Sequence, residues 1–147
     1  MNIKQKKIKH ANHNKEACEH IGTVQKYPDW MITTAFYSAL HFIDSKIFPT
    51  DIECNNKKIK CSSIDNYFAI LKRRSADIPP KHVIRKQLAC KQMNSDISSR
   101  FERLSNASST ARYSNYNAFT FKQAQQFHSD LCAIEDFCTQ GSKCSIT

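Results

Sequence analysis

The stretch from Asp29 to Ile47 constrains this chain more than any other. Trp30, Ile32, Thr33, Phe36, Tyr37, Ala39, Leu40, Phe42, Ile43 and Ile47 leave a helix built from it almost no wholly polar face. A helix that is apolar nearly all round has to be surrounded by other elements, so it must be central. Asp29 is placed to cap it. The chain has 147 residues, 40% of them hydrophobic. A single domain of that length buries roughly 68–70% of its unfolded surface and needs neither disulfides nor a structural metal to hold a core.

The partners of the central helix are read from spacing. Ala11, Ala17, Cys18, Ile21 and Val24 form a first, weak stripe ending between Gly22 and Pro28. Residues 1–9, with Lys4, Lys6, Lys7 and Lys9, read as a frayed basic arm that can join it. Pro49 and the polar run from Thr50 to Ser62 read as a connection. Ser62 or Ser63 caps a short helix whose Ile64, Tyr67, Phe68 and Leu71 keep the i, i+3, i+4, i+7 spacing. Its last turn, Lys72, Arg73 and Arg74, meets the negative helix end. Pro79 and Pro80 break that helix and open the next. It runs from Lys81 to about Leu104, with a possible interruption at Asn94, Ser95 and Asp96.

Ser105 to Asn117 is rich in Ser, Asn and Ala and reads as a loop. Thr120 caps a last helix carrying Ala124, Phe127, Leu131, Ile134 and Cys138, which Gly141 ends, leaving 141–147 as a flexible tail. Stripes spaced three and four apart pack at shallow angles. The expected fold is therefore all-α, an antiparallel up-and-down bundle of four to five helices in one domain over residues 1–140.

Only 2 glycines and 4 prolines leave few of the tight turns a sandwich or barrel needs, and no glycine-rich phosphate loop. No run of about 18 apolar residues exists to span a membrane, and the basic N-terminus lacks the apolar segment of a secretory signal. The expectation is a soluble, cytoplasmic protein with no membrane partner. The 7 cysteines, at positions 18, 54, 61, 90, 132, 138 and 144, include no pair at zinc-ribbon spacing. Cys132, Cys138 and Cys144 recur every six residues, which puts neighbours roughly 120° apart around a helix, too divergent for one metal. Cys18 and His20 are two ligands without a third and fourth nearby. No metal site and no cofactor are expected.

The formal charge of +9 is concentrated: residues 54–129 carry 14 basic and 4 acidic side chains. Such an excess favours polyanions without distinguishing RNA from DNA or from an acidic protein, and solvated basic helices account for it as well.

Three places carry chemistry. Tyr37, His41 and Asp44 lie one turn apart on the central helix and could form a polar ladder; a satisfied core histidine is the plainer alternative. His82 and Arg85 sit one turn apart near a helix N-terminus, where anions bind, or form a solvated first turn. Arg112, Tyr113 and Tyr116 suit a phosphate flanked by a stackable base, although two tyrosines plugging a bundle end explain them equally.

These same places resemble the HEPN superfamily, the higher eukaryotes and prokaryotes nucleotide-binding domain, and in particular its small stand-alone prokaryotic members. The matching pieces are Trp30 with Phe36-Tyr37-Ser38-Ala39-Leu40-His41, then Lys81-His82-Val83-Ile84-Arg85, then Leu104-Ser105 with Ser108 and Ala111-Arg112-Tyr113. The resemblance implies a four- or five-helix bundle that dimerises with functional residues between protomers, in a toxin–antitoxin, phage-defence or mobile-element setting. Catalytic members cut RNA without metal using an arginine followed four to six residues later by a histidine. Here no histidine follows Arg112 until His128.

Three functions are therefore expected in competition. The first is an RNA- or nucleotide-associated homodimer with His41, His82 and Arg112 as candidate catalytic groups and Tyr37, Arg85, Tyr113 and Tyr116 as anion or RNA contacts. The second is a non-catalytic module that binds a partner protein such as a nucleotidyltransferase or toxin. Nonspecific nucleic-acid binding through the basic middle segment is a third.

Overall fold

The computed structural model describes the backbone of residues 1–143 and the side chains through Gln140. The element order is α1 (Ile3–Thr23), α2 (Pro28–Ile47), β1 (Thr50–Cys54), β2 (Lys57–Cys61), α3 (Ile64–Arg74), α4 (Lys81–Gln92), α5 (Ser95–Ser109), a π-helical turn (Thr110–Ser114) and α6 (Phe121–Lys143). The protein is mostly helical, with one small antiparallel hairpin.

The basic N-terminal residues join the first helix, from Ile3 onward, and are not frayed. Asn2 Oδ1 accepts from the Gln5 backbone N–H at 2.8 Å and Gln5 Oε1 accepts from Asn2 N–H at 3.0 Å, a reciprocal cap that starts α1 at its third residue. At its other end Gly22 comes so close to α2 that an added Cβ would lie 3.2 Å from Met31 Cε. Gln25, at φ 53°, then turns the chain back, and Pro28 opens α2.

α2 is packed by α1, α5 and α6. Ile32, Phe42, Ile43 and Ile47 are buried almost completely, each stabilising the fold by roughly 1.5–3 kcal/mol relative to exposure. Its buried polar groups have partners: the Ser38 hydroxyl donates to the Ala11 carbonyl at 2.7 Å, and Asp44 pairs with Arg85 of α4. The enclosure is not complete, however. Trp30 is 58% and Tyr37 38% exposed, so one edge of α2 faces solvent with aromatic rings.

Two segments expected to be irregular are ordered. In 50–62, Ile52 pairs opposite Ile59, and Asn55 and Asn56 hold φ of 51° and 63°, the two positive values that a tight two-residue hairpin turn requires. Ile52 and Cys61 pack on Ile70 of α3, while Lys57, Lys58 and Lys60 stay outside. In 105–117, α5 continues to Ser109 because Leu104, Ala107, Ser108 and Ala111 sink against the core at helical spacing. Small residues let that stretch approach α2 closely. The interruption between α4 and α5 falls where expected, with Asn94 Oδ1 capping through Ile97 N–H at 2.9 Å.

Thr120 caps α6 as read, sharing reciprocal hydrogen bonds with Gln123 of 3.2 and 2.8 Å. Leu131, Ile134 and Cys138 bury against the core, and Asp130 accepts from Arg100 and Arg103 of α5, both at 3.0 Å. The helix passes through Gly141 to Lys143, and the tail beyond it, with Cys144, lies outside the described residues.

Candidate functional site

Where α5 gives way to the π-helical turn, the hydrogen bond from Asn115 N–H to Thr110 carbonyl spans five residues at 2.8 Å. Such a widened turn rotates the following side chains relative to a regular helix and occurs often at functional positions. Arg112 sits on it. Its Nε donates to the Ser108 carbonyl at 3.3 Å, and its Nη1 donates to the hydroxyls of Tyr37 at 2.8 Å and Tyr113 at 3.1 Å.

Three rings surround the guanidinium, with centroids 4.7 Å (Tyr113), 5.3 Å (Tyr37) and 5.7 Å (Phe36) from its central carbon. Among the described residues no carboxylate lies within 4.0 Å of Arg112, and Nη2 donates to no protein atom. A guanidinium fixed by neutral phenols, with donors left over, keeps its full charge for an incoming anion. Beside it, Asp29, Trp30, Thr33, Ala111, Arg112 and Tyr116 line a cleft of about 250 Å³. Tyr113 and Tyr116 are 76% and 66% exposed, so they do not plug the end of the fold.

One turn further along α2, His41 stacks on His10 of α1, ring centroids 3.8 Å apart and planes at 23°. Burial, then the neighbouring His10, pushes the His41 imidazole down to about 4, with Lys7 and Arg85 adding to the effect and Asp44 opposing it. His41 is therefore neutral at pH 7. Another turn on, Asp44 holds Arg85 in a two-pronged pair, Nε–Oδ1 2.8 Å and Nη2–Oδ2 3.3 Å. Asp44 is only 6% and Arg85 14% exposed, so this pair fastens α4 to α2.

The ladder of Tyr37, His41 and Asp44 does share a face, but its members do not bond to one another. Each reaches a different element: Tyr37 the π-helical turn, His41 α1, Asp44 α4. Of the sequence-derived candidates, Tyr37, Arg112 and Tyr113 meet, and Tyr116 lines the adjoining cleft. His41 lies a turn away, Arg85 is engaged by Asp44, and His82 is exposed on α4 with no hydrogen bond, ion pair or ring contact among the described residues. Sequence reasoning did not pick out His10, Lys7 or Asp29. Lys7 belongs to the basic segment 1–9 and His10 directly follows it, and Asp29 is not the cap of α2: the helix opens at Pro28 with no side-chain cap and Asp29 lies in its first turn.

A second cluster joins α1 and α6. His128 Nε2 lies 3.0 Å from Glu19 Oε2, and Cys132 Sγ lies 3.8 and 3.9 Å from the two ring nitrogens of His128. Burial raises the Cys132 thiol, and a sulfur equidistant from both nitrogens is not aimed at either. This is not an activated nucleophile. Among the described residues no group of three His, Cys, Asp or Glu side chains is arranged to hold a metal ion, and no helix is long and apolar enough to cross a membrane.

No family model, no curated protein and no solved structure matches the chain.

Proposed function

We propose that this protein is an RNA- or nucleotide-associated helical protein of HEPN-like kind, and that it binds an unpaired nucleotide at the face formed by α2 and the π-helical turn. The observation that carries the reading is the Arg112 guanidinium, held by the Tyr37 and Tyr113 hydroxyls instead of a carboxylate and flanked by the exposed rings of those two tyrosines. Phosphate recognition needs a charge-assisted fork, and an unstacked base needs a π-face; the two stand together here. Stacking on such rings contributes about 1–3 kcal/mol per base and tolerates any base, while the basic surface adds a salt-sensitive attraction. In this reading the helices form an antiparallel up-and-down bundle and the protein is a homodimer acting in a toxin–antitoxin or defence setting.

The test is binding of a fluorescein-labelled, unpaired ribo-oligonucleotide by anisotropy, alongside the same sequence as a duplex. The unpaired strand binds more tightly. Arg112→Ala weakens it at least tenfold, while Lys57→Ala on the distant hairpin changes it less than threefold. Equal loss in both variants would leave only nonspecific charge. Whether binding leads to cleavage is read in the same samples with chelator present: products that vanish in Arg112→Ala mark a metal-independent endoribonuclease.

A second reading, a non-catalytic module that binds a partner protein, is favoured by His41 being stacked on His10 and Arg85 being tied to Asp44. Both groups are then occupied in holding helices together. Absence of RNA affinity and of turnover would select it.

A further inference from the structure

The cleft beside Arg112 contains one group that phosphate binding does not use. Asp29 stands in the first turn of α2, where the helix N-terminus favours its negative charge. Its backbone carbonyl accepts from Thr33 Oγ1 at 2.8 Å, but among the described residues its carboxylate makes no hydrogen bond and no ion pair, not even with Arg112 across the same cleft. Trp30, Tyr116 and Thr33 complete the lining with Ala111. At about 250 Å³ the space is smaller than a typical small-molecule site of roughly 300–1,000 Å³, and suits a single flat base whose sugar and phosphate remain outside.

We propose that this cleft selects guanine, with Asp29 as the specificity-determining residue. The inference rests on the nucleotide-binding reading above and deepens it. A carboxylate offers two acceptors side by side and no donor. Guanine alone among the RNA bases presents two adjacent N–H donors on its pairing edge, N1–H and the N2 amino group. Adenine and cytosine set a lone-pair nitrogen beside their amino group, and uracil flanks its single N–H with two carbonyl oxygens. Each of these would turn an acceptor toward the Asp29 oxygens. Trp30 and Tyr116, both mostly exposed, supply the stacking faces, and Arg112, which lines the same cleft, supplies the cation for the phosphate.

Trp30 is the only tryptophan in the chain, so its fluorescence reports occupancy of this cleft directly. The full-length protein is titrated with pentaribonucleotides of uridine that carry one central guanosine, inosine or adenosine. The guanosine strand binds on the order of tenfold more tightly than the adenosine strand, with inosine, which keeps N1–H but lacks the amino group, between them. Asp29→Asn brings guanosine to within twofold of adenosine, because the amide replaces one of the two acceptors with a donor. Asp29→Ala, with helicity checked by circular dichroism, does the same. Equal affinity for guanosine and adenosine in the unmodified protein, or a preference that survives both substitutions, overturns guanine selection. If that equal affinity is still lost in Arg112→Ala, the nucleotide-binding reading stands and guanine selection alone falls. If no strand quenches Trp30 or shows anisotropy-detected binding, both fall.

Discussion

The Arg112 guanidinium donates to the Tyr37 hydroxyl at 2.8 Å across 75 residues of sequence, and this contact joins the π-helical turn to the exposed edge of α2. The bond is partly solvated, so its contribution to stability is modest, about 0.5–1.5 kcal/mol. Its role is to hold the fork in place.

Tyr37→Phe removes the acceptor and keeps the ring. Unfolding by urea should shift by no more than about 1 kcal/mol, while affinity for the unpaired strand falls three- to tenfold because the guanidinium is no longer pre-oriented. Arg112→Lys keeps the charge but loses the planar fork, and should bind no better than Tyr37→Phe. An Arg112→Lys protein with full affinity would show that charge alone suffices.

The Asp44–Arg85 pair predicts the opposite separation. Truncating either partner strands a buried charge, and Asp44→Ala should destabilise the fold by about 3–5 kcal/mol. The double replacement Asp44→Leu with Arg85→Met should recover most of that loss in urea unfolding, because no charge remains to be desolvated. Nucleotide affinity of the double variant should stay within threefold of the unmodified protein, since neither residue touches Arg112.

His41 makes stability depend on pH. Its pKa falls from the usual 6.5 to about 4 on folding, so between those values the unfolded chain binds more protons. The contribution is fully present above about pH 6.5 and is lost as pH falls toward 4. Half-exposure reduces its size to on the order of 1–2 kcal/mol. His10, Lys7, Asp44 and Arg85 all face the imidazole, so the comparison is with His41→Gln, whose unfolding midpoint should fall less between pH 7.5 and pH 4.5. Parallel curves for the two proteins would rule out His41 as the source.

Ser108 Oγ is the one buried side-chain oxygen or nitrogen without a partner among the described residues. Ser108→Ala removes a desolvated hydroxyl and keeps the carbonyl that Arg112 Nε uses. Thermal unfolding should move upward by about 2–4 °C, equivalent to about 1 kcal/mol. A lower midpoint would mean that the hydroxyl has a partner in solution.

Much of the helical plan was legible because it is written in local rules. The caps at Ser63 and Thr120, the proline break before Lys81 and the stripe on α6 each depend on residues within a turn or two of one another. Two misreadings share a cause. The turn at Asn55 and Asn56 and the helix through Ser105 to Ser109 are made by residues that also favour irregular loops, and what decides between the outcomes is burial of Ile52 on α3 and of Ala107, Ser108 and Ala111 against α2.

Sequence alone determined that a nearly all-apolar helix sits at the centre, that most of the chain is helical, and that Arg112 with Tyr113 and Tyr116, and separately Tyr37 with His41 and Asp44, are groups able to carry chemistry. Only the tertiary structure decided that Arg112, Tyr113 and Tyr37 meet, that His41 turns to His10, that Arg85 is spent on Asp44, and that Asp29 opens into the same cleft as Trp30. Helical periodicity assigns a side chain to a face, but which faces adjoin is settled by packing between segments tens of residues apart, and no local pattern encodes that.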